Sequence, residues 1–166
     1  MTFDYNSLNI QINKLPTKSL YVDNRHLNIY EVVATHNKLP VSRIAITLPI
    51  NLNDDLGTNL LLFDLEVFPP RPKPFVSHQK TNETYRNLGI NSHLIKFTNA
   101  HYSNFFNSPL YSDMIFSKET HRTQTNLVCQ PGKMVWQKLE KEGVAQYIPF
   151  TNNNNELVDR WVMLSK

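Results

Sequence analysis

A stretch near the middle of the chain has the residue types of an anion-binding helix start. Over residues 85–95, a polar turn that contains Gly89 passes directly into an apolar helical pattern. Small residues at such a turn let the backbone approach a ligand closely, and the free amides of the first helical turn point at any negative group in front of them. Pyrophosphate is the ligand that this pattern favours, with the backbone amides of Gly89, Ile90 and Asn91 as its contacts. The alternative is an ordinary polar helix cap with Gly89 in a turn.

The residues after this turn predict a helix that runs to about Phe106. Apolar and aromatic side chains recur three or four positions apart, so one side of the helix can be buried while the polar side faces water. The residues on the buried side are Ile90, Leu94, Phe97, His101 and Phe105.

Strand patterns precede and follow this helix. Before it, strands are predicted at 8–13, 27–33, 41–48 and 60–68, and the last is the most apolar and should be central. The proline-rich segment between residues 68 and 85 is predicted to be loop. After the helix come a strand at 110–116, an amphipathic helix at 134–141 that starts near Pro131 and stops at Gly143, and strands at 144–150 and 160–164.

The segment Arg86-Asn87-Leu88-Gly89-Ile90-Asn91 is similar to the Gln/Arg-x-x-Gly-x-Gly/Ala motif of the GNAT superfamily of N-acyltransferases, except that Asn91 replaces Gly or Ala. In that family the motif binds the pyrophosphate of acetyl-coenzyme A. The order of the predicted elements also resembles the family, as does the pattern Val135-Trp136-x-x-Leu139 followed by Gly143. The resemblance implies an α+β fold with a mixed, mostly antiparallel central sheet flanked by helices. The N-terminal helices would be reduced, because the interval 12–27 is too short for much of a helix.

The resemblance also implies that an acetyl group moves from acetyl-coenzyme A directly to an amine. Such a reaction needs a base for the incoming ammonium, an amide to hold the thioester carbonyl, and an acid for the departing thiolate. Asp64 and Glu66 alternate with Leu65 and so point to one side of their predicted strand. Glu66 is the preferred base because it lies nearer the strand end, although both carboxylates could simply lie on the wet face of a sheet.

The acid and the remaining cofactor contacts follow from the same resemblance. Many family members place a tyrosine four residues before the helix-ending glycine, where this chain has Leu139, so Tyr111 and Ser112 on the preceding strand are the candidates. Arg86 is expected to pair with phosphate. The cofactor-binding stretch is then Arg86 and Leu88 together with Gly89, Ile90 and Asn91.

Composition limits the other function classes. The 166 residues carry 17 Lys and Arg against 14 Asp and Glu, a formal net charge of +3, and these residues are scattered along the chain, which disfavours nucleic acid. The histidines show no HExxH or Cys/His spacing for a metal. The single cysteine, Cys129, excludes an internal disulfide and favours a reducing compartment.

We therefore expect one cytoplasmic domain, 1–166, without a membrane span. The acceptor would be a small-molecule or peptide amine of unknown identity, and a homodimer is left open. The rival interpretation is a catalytically silent GNAT-like protein that binds a protein partner or nucleic acid.

Overall fold

The bounds of the helices and strands come from a computed structural model, which describes residues 3–15, 18–20, 25–49, 74–112, 115–116, 126–151, 155 and 157–165. The helices are α1 (Ile90–Phe106) and α2 (Asn126–Lys141), with 3-10 turns at Tyr5–Ser7 and Glu83–Tyr85. The strands are β1 (Asn9–Lys14), β2 (Lys18–Leu20), β3 (Arg25–His36), β4 (Leu39–Pro49), β5 (Phe75–Thr81), β6 (Tyr111–Ser112), β7 (Ile115–Phe116), β8 (Ala145–Tyr147), β9 (Phe150–Thr151), β10 (Leu157–Asp159) and β11 (Trp161–Met163).

The larger sheet is built around the long hairpin of β3 and β4. Its two turn residues, Asn37 and Lys38, have φ of 51° and 66°, as a type I′ turn requires. The strand order is β1-β3-β4-β5-β6-β11-β8, and β2 also pairs with β3. Among the described ladders, β5 and β6 run parallel and all others are antiparallel.

The core lies between this sheet and the two helices. Side chains at alternate positions of β3, such as Val32 and Ala34, are fully buried, which is the period of a strand with one covered face. Helix α1 packs against β3, β4, β5 and α2, whereas α2 packs against α1 and β8. Burial of each large apolar side chain contributes about 1.5–3 kcal/mol. Trp136 and Trp161 are both buried, as expected of core residues.

A second sheet, β7-β10-β9, continues the edge of the first past a bend. Its strand order matches β6-β11-β8, and each of its strands is separated from its counterpart by one or two residues. The amide of Ile148 donates to the carbonyl of Arg160 at 2.8 Å across the bend. The predicted strands at 110–116 and 144–150 are therefore each divided in two.

The predicted α+β class is confirmed: a mixed, mostly antiparallel sheet is flanked by helices. The N-terminal helices are reduced as expected, since the described residues between β1 and β3 form strand β2. No helix within the described ranges is long and apolar enough to cross a membrane.

Two element predictions were wrong. The segment between residues 68 and 85 was predicted to be loop, but 75–81 forms β5 against β4. Its prolines all precede the strand, so no missing amide interrupts the ladder. Helix α2 begins at Asn126 rather than near Pro131, which is its sixth residue. The predicted strand at 60–68, with Asp64 and Glu66, lies outside the described residues.

Candidate ligand site where two strands diverge

Strands β5 and β6 pair over a very short length and then part. The parallel register consists of Phe75 opposite Tyr111 and Val76 opposite Ser112. Directly after Val76, β5 contains an extra residue, because Ile46 of β4 faces Val76 whereas Ala45 faces His78. From there to Thr81, β5 pairs with β4 alone among the described strands. A bulge of this kind bends the strand, and such bulges are frequent beside active sites.

The bulge decides which β5 side chain faces the helices. Gln79 lies opposite Ile44, and residues opposite one another in a ladder share a face of the sheet. Because Ile44 is fully buried in the core, Gln79 follows Val76 on the helix side of the sheet. Regular alternation would have placed His78 there instead.

Helix α2 approaches this part of β5 through a glycine. A Cβ built on Gly132 would lie 3.7 Å from Nε2 of Gln79. The other side-chain atom of that amide, Oε1, is buried and accepts no hydrogen bond from any described residue. A buried acceptor without a donor costs about 1–3 kcal/mol and is rare in folded proteins.

The predicted anion-binding turn forms the start of α1. Gly89 has a φ of 75°, and the helical ladder begins with the amide of His93, which donates to the Gly89 carbonyl at 3.0 Å. Within the described part of the chain, the amides of Gly89, Ile90 and Asn91 donate no hydrogen bond. These amides thus have no acceptor among the described residues, and the positive end of the helix dipole adds to their field.

Three side chains predicted near this turn have definite positions. Arg86 is exposed and pairs with Glu83 at 3.4 Å. The carbonyl of Leu88 accepts a hydrogen bond from the Tyr5 hydroxyl at 2.7 Å. The side chain of Asn91, where the motif has Gly or Ala, accepts a hydrogen bond from Ser42 Oγ of β4 at 2.6 Å, so it ties α1 to the sheet.

Two further side chains lie against Gly89, and no sequence pattern selects either of them. A Cβ at Gly89 would stand 2.8 Å from the Tyr5 hydroxyl oxygen and 3.0 Å from Nζ of Lys138. Lys138 comes from α2 and brings a positive charge to the start of α1. Tyr5 is distant in the sequence, and no local pattern indicates that it returns to this turn.

The N-terminal residues line the same turn with aromatic rings. Tyr5 stacks on His93 with ring centroids 4.5 Å apart and planes 9° from parallel. Phe3 packs edge-on against Tyr5 and Tyr85. Burial lowers the pKa of His93, and the charge of Lys96 lowers it further, so both favour the neutral imidazole.

The two predicted acids lie on the paired segment of β6. Ser112 is 1% exposed, and its Oγ accepts a hydrogen bond from the Trp161 amide at 2.9 Å. The guanidinium of Arg160 lies 4.7 Å from the centre of the Tyr111 ring. Both residues therefore sit where β5 and β6 are still joined, next to the divergence.

A buried ionic network that the sequence did not predict lies at the bend between the sheets. Asp159 is 3% exposed, and its two oxygens accept hydrogen bonds from Lys133 of α2 and Tyr147 of β8, each at 2.5 Å. The bond to Asp159 raises the pKa of Tyr147 to about 12, with smaller contributions from burial and from the charges of Asp159 and Glu140. The three residues are far apart in sequence, so no motif could reveal them. The described residues contain no group of His, Cys, Asp and Glu side chains able to hold a metal ion.

No family model matches the chain, and no curated protein matches it. Among solved structures, the chain is similar to Arabidopsis thaliana NAA60 in complex with acetyl-CoA. The identity is 12%, the match covers 81% of this chain and 74% of that one, and the TM-score is 0.45. A likeness of this size does not bear on function, which rests on the residues described above.

Proposed function

We propose that the protein is a GNAT-type N-acetyltransferase that moves the acetyl group of acetyl-coenzyme A to an amine. The observation that carries this proposal is the divergence of β5 and β6 beside the start of α1, whose first amides donate to no described residue. A diverging parallel pair leaves room for an extended ligand, and the helix start supplies the donors for its phosphates. The motif at 86–91, which includes this helix start, supports the same assignment.

The residues around Gly89 fit a diphosphate. The missing Cβ lets the Tyr5 hydroxyl and the Lys138 amine come close to the main chain at Gly89. The free amides and the Lys138 charge favour an anion, and Arg86 is close enough in sequence to join them when its exposed pair with Glu83 opens. Acetyl-coenzyme A would supply the acetyl group in activated form, as a thioester.

Acetyl transfer requires an amide that holds the carbonyl oxygen of the thioester, and the bulge in β5 is a suitable place for one. Ser77 is the extra residue, since its neighbours Val76 and His78 take the register partners in β4. A main-chain amide at such a bulge can be aimed at a developing negative charge before the reaction begins. We assign that role to the main chain at Ser77.

The proton transfers remain assigned to the residues predicted from the sequence. Glu66 is the proposed base, and Tyr111 or Ser112 the proposed acid. Ser112 lies opposite Val76, the last residue of β5 that pairs with β6, so its position is compatible with that role. The acceptor is proposed to be a small-molecule or peptide amine.

The test is binding and turnover with acetyl-coenzyme A. Ligand at a hundred times its dissociation constant should stabilise the fold by about 2.7 kcal/mol in thermal or chemical unfolding. Incubation with a panel of amines and peptides should release coenzyme A and give acetylated products by mass spectrometry. Absence of any stabilisation would refute the cofactor assignment.

A matched pair of lysines locates the binding. Lys138→Gln should weaken acetyl-coenzyme A binding about threefold to tenfold, because it removes a partly screened charge next to the helix start. Lys141→Gln, an exposed lysine in the last turn of the same helix, should leave the affinity unchanged. Equal effects of the two changes would count against a diphosphate at Gly89.

The catalytically silent alternative has two observations in its favour. Leu139, at the position where many family members carry the acidic tyrosine, is fully buried, and the hydroxyl of Ser112 is nearly so. A protein that binds acetyl-coenzyme A tightly and acetylates none of the amines offered would support this alternative.

A further inference from the structure

The side-chain amide of Gln79 has no hydrogen-bond partner within the described residues, although one of its atoms is fully buried. Oε1 is the buried atom, and Nε2 lies against Gly132 of α2. A glutamine at this depth normally finds partners for both ends. An apolar residue would fill the same space without the cost of an orphaned acceptor.

Two features of the backbone bring this amide into the divergence. The extra residue in β5 turns Gln79 to the helix face, beyond the point where β6 leaves the ladder. The absence of a side chain at Gly132 keeps α2 from closing the space in front of it. The amide therefore lies between β5 and α2, where the ligand arm would pass from the start of α1 toward the paired end of β5 and β6.

We propose that Gln79 binds an amide group in the arm of the acyl-coenzyme A and makes the site selective for coenzyme A thioesters over plain nucleotides. The inference rests on the proposed function and deepens it. The arm of coenzyme A contains two secondary amides, each with one donor and one acceptor, whereas its nucleotide end has no amide. On binding, the Gln79 side chain turns its amide toward the arm, so that Oε1 accepts from an N–H of the arm and Nε2 donates to a C=O.

Selectivity follows from the free-energy cost of leaving Oε1 of Gln79 without a hydrogen-bond donor. A site built to hydrogen-bond a ligand group rejects an analogue that lacks it, because the buried polar atom then stays unpaired. A nucleotide diphosphate alone would bind only beside Gly89 and would leave Oε1 without a hydrogen-bond donor. Coenzyme A supplies a donor to Oε1, so only ligands that carry the arm gain affinity from Gln79.

The experiment compares two ligands by isothermal titration calorimetry with the full chain. Coenzyme A has the arm, and 3′-phosphoadenosine 5′-diphosphate is the same nucleotide without it. Gln79→Met keeps the length of the side chain and removes both hydrogen-bonding ends, so it should bind coenzyme A about tenfold more weakly and the nucleotide unchanged. Gln79→Asn keeps the amide but withdraws it by one methylene, and the same selective loss is expected.

The control is Gln137→Met, an exposed glutamine on α2, which should change neither affinity. The melting temperature of each variant is also measured. It should not fall for Gln79→Met, because this change removes a buried acceptor that has no hydrogen-bond donor. Unchanged coenzyme A affinity in the Gln79 variants, or equal loss for both ligands, would overturn the role of Gln79 while the proposed function stands. A wild-type protein that binds neither ligand would overturn the proposed function itself, and the inference with it.

Discussion

Gly89 and Asn91 show how single residues shape the start of α1. The positive φ of Gly89 disfavours any side chain, and the Tyr5 hydroxyl and Lys138 amine occupy the space where one would go. Asn91 departs from the family motif, yet its side chain bonds to Ser42 in the sheet. The side chain of Asn91 therefore anchors α1 to the sheet, while its main-chain amide donates to no described residue.

Two glycines of the described residues have a left-handed backbone, and comparing them distinguishes backbone strain from steric crowding. Gly89 and Gly143 have φ of 75° and 70°, but only Gly89 has atoms within 4 Å of a built Cβ. Replacement of either by Ala should cost about 1–2 kcal/mol of unfolding free energy from backbone strain. Gly89→Ala should cost about 1 kcal/mol more, because it displaces the Tyr5 hydroxyl from the Leu88 carbonyl.

Urea unfolding of the two variants measures this difference directly. Equal losses would mean that Tyr5 adjusts freely and does not hold the turn. Calorimetry on the same samples should show weaker acetyl-coenzyme A binding for Gly89→Ala alone.

Strand β5 marks the limit of what sequence periodicity could predict about the elements. The two strands of the long hairpin, helix α1, the C-terminal half of helix α2 and the turn at Gly89 follow from alternation, helical spacing and residue type. The four prolines at 69–74 suggested a loop across the whole segment, although the strand begins directly after the last of them. The bulge at Ser77 left no signal, because a register shift arises from the pairing with β4 and not from local residue types.

Replacement of Gly132 should make helix α2 more stable and should weaken the binding of acetyl-coenzyme A. Glycine inside a helix is less favourable than alanine by about 0.5–1 kcal/mol, and the new Cβ would make an ordinary 3.7 Å contact with Gln79. Gly132→Ala should therefore raise the free energy of unfolding by about that amount. The extra methyl narrows the space beside Gln79, so acetyl-coenzyme A affinity should fall. A variant with higher stability and undiminished affinity would place the ligand arm elsewhere.

At the scale of the whole molecule, the network of Asp159, Lys133 and Tyr147 joins α2 to both sheets at their bend. Asp159 ends β10 in the small sheet and accepts hydrogen bonds from Tyr147, which ends β8 in the large sheet, and from Lys133 of the helix. Removal of one partner would leave a buried charge uncompensated, which is strongly destabilising. No sequence pattern could predict this junction, because its residues lie on three different elements and meet only in the folded protein.

The pH dependence of stability tests the junction. A phenol whose pKa is raised to about 12 in the folded protein, against about 10 unfolded, holds its proton more tightly when folded. Its contribution to stability is therefore complete below pH 10 and is lost as the pH rises from about 10 to 12. Denaturant midpoints of the wild type should fall over this range, whereas Tyr147→Phe should start lower at pH 8 and fall less. Tyr102→Phe, which lies outside the network, should follow the wild type, and a Tyr147→Phe curve parallel to the wild type would exclude Tyr147 as the alkaline trigger.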